Sequence, residues 1–223
     1  SIALSNSLFP KLPDDLFNDL EPVAIMASVP FVLGVHPSLP VKSARELIAF
    51  AKVRPGQLTF GSGGAGGGPH LTAEMFAMRA GLKLLHIPYR GTAQGNAAVS
   101  SGEITMIFSP SASIVPLINS KRVRALAITR TLPEVPTMSE AALPDFDARN
   151  WIALFPPRRM SEESILRLNA EINRIVQTPA MRERFAAIGA ESMTGTPKEW
   201  TAYVRDEAAK WAKVIRAAGV KPE

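Results

Sequence analysis

The 223-residue chain contains no cysteine. That excludes disulfides, thiolate metal sites and a cysteine nucleophile, and it is compatible with an exported protein that avoids mispaired thiols. Long hydrophobic runs are also missing; none approaches the roughly 20 residues that a bilayer-spanning helix needs. Ser1-Ile2-Ala3-Leu4-Ser5 has neither the basic flank nor the long apolar centre of a signal peptide. Histidine is scarce. His36, His70 and His86 form no pair at metal-ligand spacing, and His70 with Glu74 four residues on is too little for zinc. Positive charge is in modest excess at +5, but lysines and arginines are scattered near acids. The densest group, Lys121, Arg122, Arg124 and Arg130, has few aromatics beside it, so it reads as solvated surface rather than a nucleic-acid interface.

What is present is material for a sizeable core: 46% hydrophobic against 20% charged residues, the balance of a globular protein of one large or two small domains. The most informative stretch runs from Thr59 to Leu71, where a short apolar run enters six glycines and Pro69 then opens a helix that Gly81 closes. Glycine lets the backbone turn tightly and leaves N–H groups unshielded. With the positive end of the next helix they make a pocket for an anion. His70 caps this helix or lines the pocket.

The rest of the chain alternates strand and helix patterns. Ser1 to Glu21 is proline-punctuated and reads as irregular. Val23–Ala27 and Phe31–Val35 read as two strands separated by Ser28-Val29-Pro30. Ser43 with Glu46 is a capping box for a helix with Ala44, Leu47, Ile48 and Ala51 inward. Leu71, Met75 and Met78 read as a core stripe. Further strands are expected at 83–87, 103–108 and 123–129, with Trp151–Phe155 the last. Leu132 to Asp147 reads as a connecting segment. Ile165, Leu168, Ile172 and Ile175 recur at helical spacing, and Thr196-Pro197-Lys198-Glu199 caps a final helix with Trp200, Val204, Trp211 and Ile215 buried. Such alternation argues for a mostly parallel sheet flanked by helices. The glycine loop, the turn at Tyr89 and the turn at Ser109 all follow strands, so they belong on one rim, where ligands of such sheets sit.

Gly61, Gly63 and Gly66 match G-x-G-x-x-G, the basis of an alternative reading as an NADP-dependent oxidoreductase with Arg90 near the phosphate. The motif lies mid-chain, however, and no acid follows the next strand to hold a ribose. Ser62 lies in no nucleophile elbow and has no acid near it in sequence. There is thus no catalytic constellation, no metal set and no cofactor, and the chain is expected not to be an enzyme.

These motifs resemble the tripartite tricarboxylate transporter substrate-binding proteins, the Bug family. The glycine stretch ending in His70-Leu71 is similar to that family's SSGxGSxxHL segment, Ile87 to Gly91 to its VPYKG turn, and Arg130 to Ala142 to its R-x-L-P-x-V-P-T signature. The tail, from Leu168-Asn169-Ala170-Glu171 to Gly219-Val220-Lys221-Pro222, also fits. The resemblance implies an α/β, two-lobed, periplasmic-binding-protein-like fold with a hinge, its first lobe incomplete. Residues 1–27 with 149–223 would form the first lobe and 28–148 the second. It implies a monomeric periplasmic receptor that captures a small carboxylate and hands it to membrane permease subunits. A carboxylate sensor for a signalling partner is an alternative. The ligand-binding set it implies here is Ser62, Gly63, Gly64, Ala65, Gly66, Gly67, His70, Tyr89, Gly91, Thr92 and Ser109. Three departures stand out. The family's N-terminal portion, with its export signal, has no counterpart in this chain. Ala65 and Gly67 stand where the family has Asn and Ser. Ser109 stands where it often has an aspartate that could pair with an ammonium group, which implies a plain or aromatic carboxylate as ligand.

Overall fold

The computed structural model describes residues 16–129 and 135–221. In chain order the elements are α1 (Leu16–Asp19), β1 (Ala24–Val35), α2 (Ala44–Lys52), β2 (Thr59–Ser62), α3 (Gly68–Ala80), β3 (Leu85–Pro88), α4 (Thr92–Ser101), β4 (Met106–Pro110) and α5 (Ser111–Asn119). They continue as β5 (Arg124–Ile128), α6 (Met138–Ala141), β6 (Arg149–Leu154), α7 (Glu162–Val176), α8 (Pro179–Ala187), β7 (Glu191–Ser192) and α9 (Pro197–Ala218). The chain forms two compact units, one of residues up to Val29 with Trp151–Pro222, the other Pro30–Asn150.

The unit Pro30–Asn150 is built on a sheet in the order β3-β2-β4-β1-β5. β2 runs parallel to both β3 and β4, whereas β1 runs antiparallel to β4 and to β5. Helices follow β2, β3 and β4 directly, so three helices begin at the same end of the sheet. Local chemistry sets their limits. Gly67 precedes α3 in extended conformation, Pro69 occupies its first turn, and Gly81 closes it at φ 65°, a left-handed conformation that glycine adopts without cost. α2 starts where the Ser43 hydroxyl accepts the Glu46 N–H, while the Glu46 carboxylate reaches one residue further back, to the Lys42 N–H. Alternation along β4 divides the core. Phe108 packs with Phe76 of α3 and with Phe146, and Ile107 joins Val32, Val99 and Ile114 on the other face.

In the other unit β6 and β7 pair with β1. Trp151 and Ala153 of β6 pack with Ile25, Trp200 and Val204. The expected inner face of α9 is observed, with Trp200, Val204, Trp211 and Ile215 all buried. The Thr196–Glu199 capping box is complete, and the Thr196 bonds hold the exposed Glu199 carboxyl below its ordinary pKa. Buried Glu207 accepts from the Trp211 indole N–H and from Lys210.

Several local expectations are corrected. β1 is one strand through Ser28-Val29-Pro30, not two. Its ladder partners change there: Ala27 and Ser28 pair with β7, whereas Phe31 onward pairs with β4. Pro30 therefore lies at a change of partner, where a missing N–H is tolerated. The supposedly irregular start contains the short helix α1, and β7 follows the strand that was to be the last. Met78 is 49% exposed, because the last turn of α3 turns the small Ala77 and Ala80 inward and leaves Met78 beside exposed Arg79 on the solvent side. Leu168 and Ile175 of α7 are exposed as well. The buried positions there are Ile165, Asn169 and Val176, a face set by the Asn169 amide donating to the Val23 and Gly195 carbonyls, each at 2.8 Å. The expectations for residues 1–15, 130–134 and 222–223 lie outside the described residues.

Asn169 yields a stability prediction. Asn169→Leu leaves the Val23 carbonyl without its side-chain donor, and an unsatisfied buried acceptor costs about 1–3 kcal/mol. Urea unfolding should register a loss of that size; an unchanged midpoint would show that the amide carries no stability.

Candidate functional site

Three chain reversals meet at the carboxyl ends of β2, β3 and β4: the loop Gly63–Gly67, the turn Tyr89–Gly91, and Ser109–Pro110 leading into α5. The parallel register pairs Gly61 with Ile87 on one side and Ile107 on the other. Carried forward, it sets Gly63, Tyr89 and Ser109 level with one another.

The loop is tied down by side chains from below. The Ser62 hydroxyl lies 2.7 Å from His86 Nε2, donates to the Gly64 carbonyl at 3.0 Å, and accepts the Gly64 N–H at 3.3 Å. The Gly66 N–H donates to His70 Nδ1 at 2.9 Å. That bond leaves the ring proton of neutral His70 on Nε2, which faces Glu74 Oε1 at 3.5 Å. The His70 and His86 rings stack with centroids 3.7 Å apart and planes 9° from parallel, and Phe60 stacks on His86 at 4.9 Å. Burial, reinforced by neighbouring His70 and partly offset by Glu74, lowers the His86 pKa to about 4. His86 at neutral pH is therefore an uncharged ring.

Close backbone approach decides where the loop lies. A Cβ on Gly63 would stand 2.7 Å from the Thr92 N and 3.1 Å from the Thr92 hydroxyl. Only glycine lets the loop rest against the N-terminus of α4. A Cβ on Gly68 would meet the Phe31 ring at 3.0 Å, and Phe31 is itself fixed by its N–H donating to the Thr129 hydroxyl at 2.9 Å. Gly64 and Gly66 hold φ of 132° and 72°, conformations other residues rarely adopt.

The expected site residues are thus distributed among several roles. Ser62 and His70 are buried beneath the loop and bond it internally, as does the N–H of Gly66. The Gly67 N–H reaches the Gly64 carbonyl at 3.4 Å. Among the described residues the N–H groups of Gly63 and Ala65 have no protein acceptor, nor do those of Gly68, Thr92 and Ala93 in the first turns of α3 and α4. These donors belong to the loop after β2 and to the first turns of two helices. Gly91 and Thr92 lie against Gly63. Tyr89 lies differently: its ring sits over Gly61, its N–H donates to the Ser62 carbonyl, and its hydroxyl donates to Glu103 at 2.8 Å. Desolvation, with the bond to Glu103, raises its pKa to about 12. Ser109 is fully buried, and its hydroxyl has no partner.

His86, Phe31 and Thr129 escaped the reading of the sequence. His86 was tested only for spacing along the chain, whereas its meeting with His70 depends on the register of β3 beside β2. Its alternation with Leu85 and Ile87 was the available signal.

A family model described as "Tripartite tricarboxylate transporter family receptor" matches residues 1–220. The chain is similar to Protein BugT of Bordetella pertussis, at 35% identity over 99% of this chain and 69% of that protein. It thus spans about two thirds of this relative's length. Among solved structures it is similar to R. palustris Rpa4515 with adipate, at a TM-score of 0.89, 30% identity, and coverage of 100% of this chain and 76% of that one. It is also similar to MatC of Rhodopseudomonas palustris with bound malate, at a TM-score of 0.82, 25% identity, and coverage of 96% and 75%.

His86 makes stability depend on pH. The unfolded ring takes up a proton below about pH 6.5 and the folded one only near pH 4. Between those values the unfolded state holds more protons, so stability falls as the pH falls through this window. In His86→Phe the decline in unfolding free energy from pH 6.5 to 4 should be shallower than in the wild type. Parallel curves from urea titrations at several pH values would refute the assignment.

Proposed function

The chain belongs to the family of tripartite tricarboxylate transporter receptors, and on that premise we propose that it captures a small, plain dicarboxylate for delivery to membrane permease subunits. Proteins of this family are periplasmic solute-binding proteins rather than enzymes. In this reading the unit Pro30–Asn150 is the second lobe, and its rim holds one carboxylate of the ligand.

The observation that carries the proposal is the set of uncommitted N–H groups on Gly63, Ala65, Gly68, Thr92 and Ala93. Backbone donors in one loop and at two helix N-termini suit a carboxylate and supply nothing for a cation. Neither the loop 62–68, the turn 88–92, nor the segment 109–111 contains an acidic side chain, whereas Arg90 adds a positive charge. An ammonium group would find no counter-ion there, which favours plain acids over amino acids. Adipate and malate, the ligands of the two similar structures, are of this chemical class. The dinucleotide reading has less support, because the position that ends β3 is Pro88 rather than an acid that could hold a ribose.

Calorimetry should find adipate or malate bound tighter than glutamate or aspartate. Gly63→Ala forces the loop off the start of α4 and should weaken dicarboxylate binding by about tenfold or more, equivalent to about 1.4 kcal/mol. Tighter binding of the amino acids would overturn the ligand class, and full affinity in Gly63→Ala would overturn the location.

A further inference from the structure

We propose that the stacked His70–His86 pair is a proton-operated latch on the glycine loop, with His86 a positioning residue: the neutral pair holds the loop in its donor-presenting shape, and a proton on the pair releases it. This inference rests on the reading of the loop as the carboxylate site.

Each half of the pair grips a different point. His70 Nδ1 accepts the Gly66 N–H, and His86 Nε2 engages the Ser62 hydroxyl that bridges the Gly64 N–H and carbonyl. An imidazolium has no lone pair on either nitrogen. A proton arriving at His70 Nδ1 therefore replaces an acceptor with a donor, and the buried Gly66 N–H faces another N–H. The Ser62 hydroxyl gives its proton to the Gly64 carbonyl, so His86 Nε2 is the donor at that contact and remains one in the imidazolium; the bond that a proton inverts is the one at His70. The groups facing the pair are few. On α3 the titratable neighbour is Glu74, whose Oε1 lies 3.5 Å from His70 Nε2. β2 contributes uncharged Phe60 and Ser62, β3 contributes Leu85 and Ile87 on either side of His86, and the loop has no ionisable side chain. Burial keeps His86 neutral down to about pH 4, so the proton that opens the latch is the one taken up at His70 Nδ1.

A positive charge under the loop also attracts a carboxylate. That attraction acts through a solvent-facing turn and is screened, whereas the Gly66–His70 bond is buried and its inversion is not. Acid should accordingly weaken binding.

The test combines a ligand-free and a ligand-bound measurement. In the unliganded wild type, the Gly66 amide resonance is followed from pH 7.5 to 4.5 together with the histidine ring signals. It should shift, and its hydrogen exchange should accelerate, as the His70 ring titrates. Adipate affinity is then measured over the same range for the wild type and for His70→Asn/His86→Gln, whose amides replace Nδ1 and Nε2 without titrating. With each protein normalised to its own value at pH 7.5, Kd should rise at least tenfold more in the wild type, the ligand's own protonation being common to both. A Gly66 amide indifferent to histidine titration, or identical pH profiles in the two proteins, overturns the latch. Absence of adipate binding at pH 7.5 overturns the carboxylate reading instead, and the ligand-free Gly66 measurement still decides the latch.

Discussion

The candidate site depends on how near one backbone passes to another. At Gly63 the loop after β2 lies so close to the start of α4 that a single methyl group would collide with the Thr92 nitrogen. That approach brings the first turn of α4 beside the loop that leads into α3, so that uncommitted N–H groups of the two elements become neighbours. The parallel course of β2, β3 and β4 is the larger condition behind it. Parallel strands followed by helices deliver every helix N-terminus to the same end of the sheet, and the glycines remove the side chains that would otherwise cover those ends.

The loop's shape is not left to its glycines, whose freedom would cost entropy on binding. It is stitched from beneath by one serine and two histidines, each making a bond that a flexible glycine run could not make for itself. Preorganisation of this kind lets donors meet a ligand without first being ordered. The result is a division of labour, with backbone amides facing outward and polar side chains facing inward to hold them. Ser62, His70 and Tyr89, which the sequence suggests as ligand contacts, all have bonds inside the protein.

Features with local causes were legible before the structure. The Ser43 and Thr196 caps, the closing Gly81, and the placing of the glycine loop between a strand and a helix depend on residues a few positions apart. What depends on register was not. The meeting of His70 with His86, the docking of Phe31 on Gly68, and the bond from Phe31 to Thr129 join residues brought together only by strand pairing. Pro30 misled in the other direction, since proline ordinarily interrupts a strand, yet here it coincides with a change of ladder partners. In α7 the polar Asn169 faces inward because it serves two carbonyls, which hydrophobic periodicity cannot register.

β3 forms one border of the sheet in the unit Pro30–Asn150, paired on one side with β2. It is only four residues long, and its last position is Pro88. A border strand offers its open row of amide and carbonyl groups to any extended chain that drifts past, and long flat borders seed intermolecular sheet growth. So short a border, ended by a residue with no N–H to offer, gives a second chain too little to zip onto. The strand that carries His86 to the loop is thus also a poor template for strand addition.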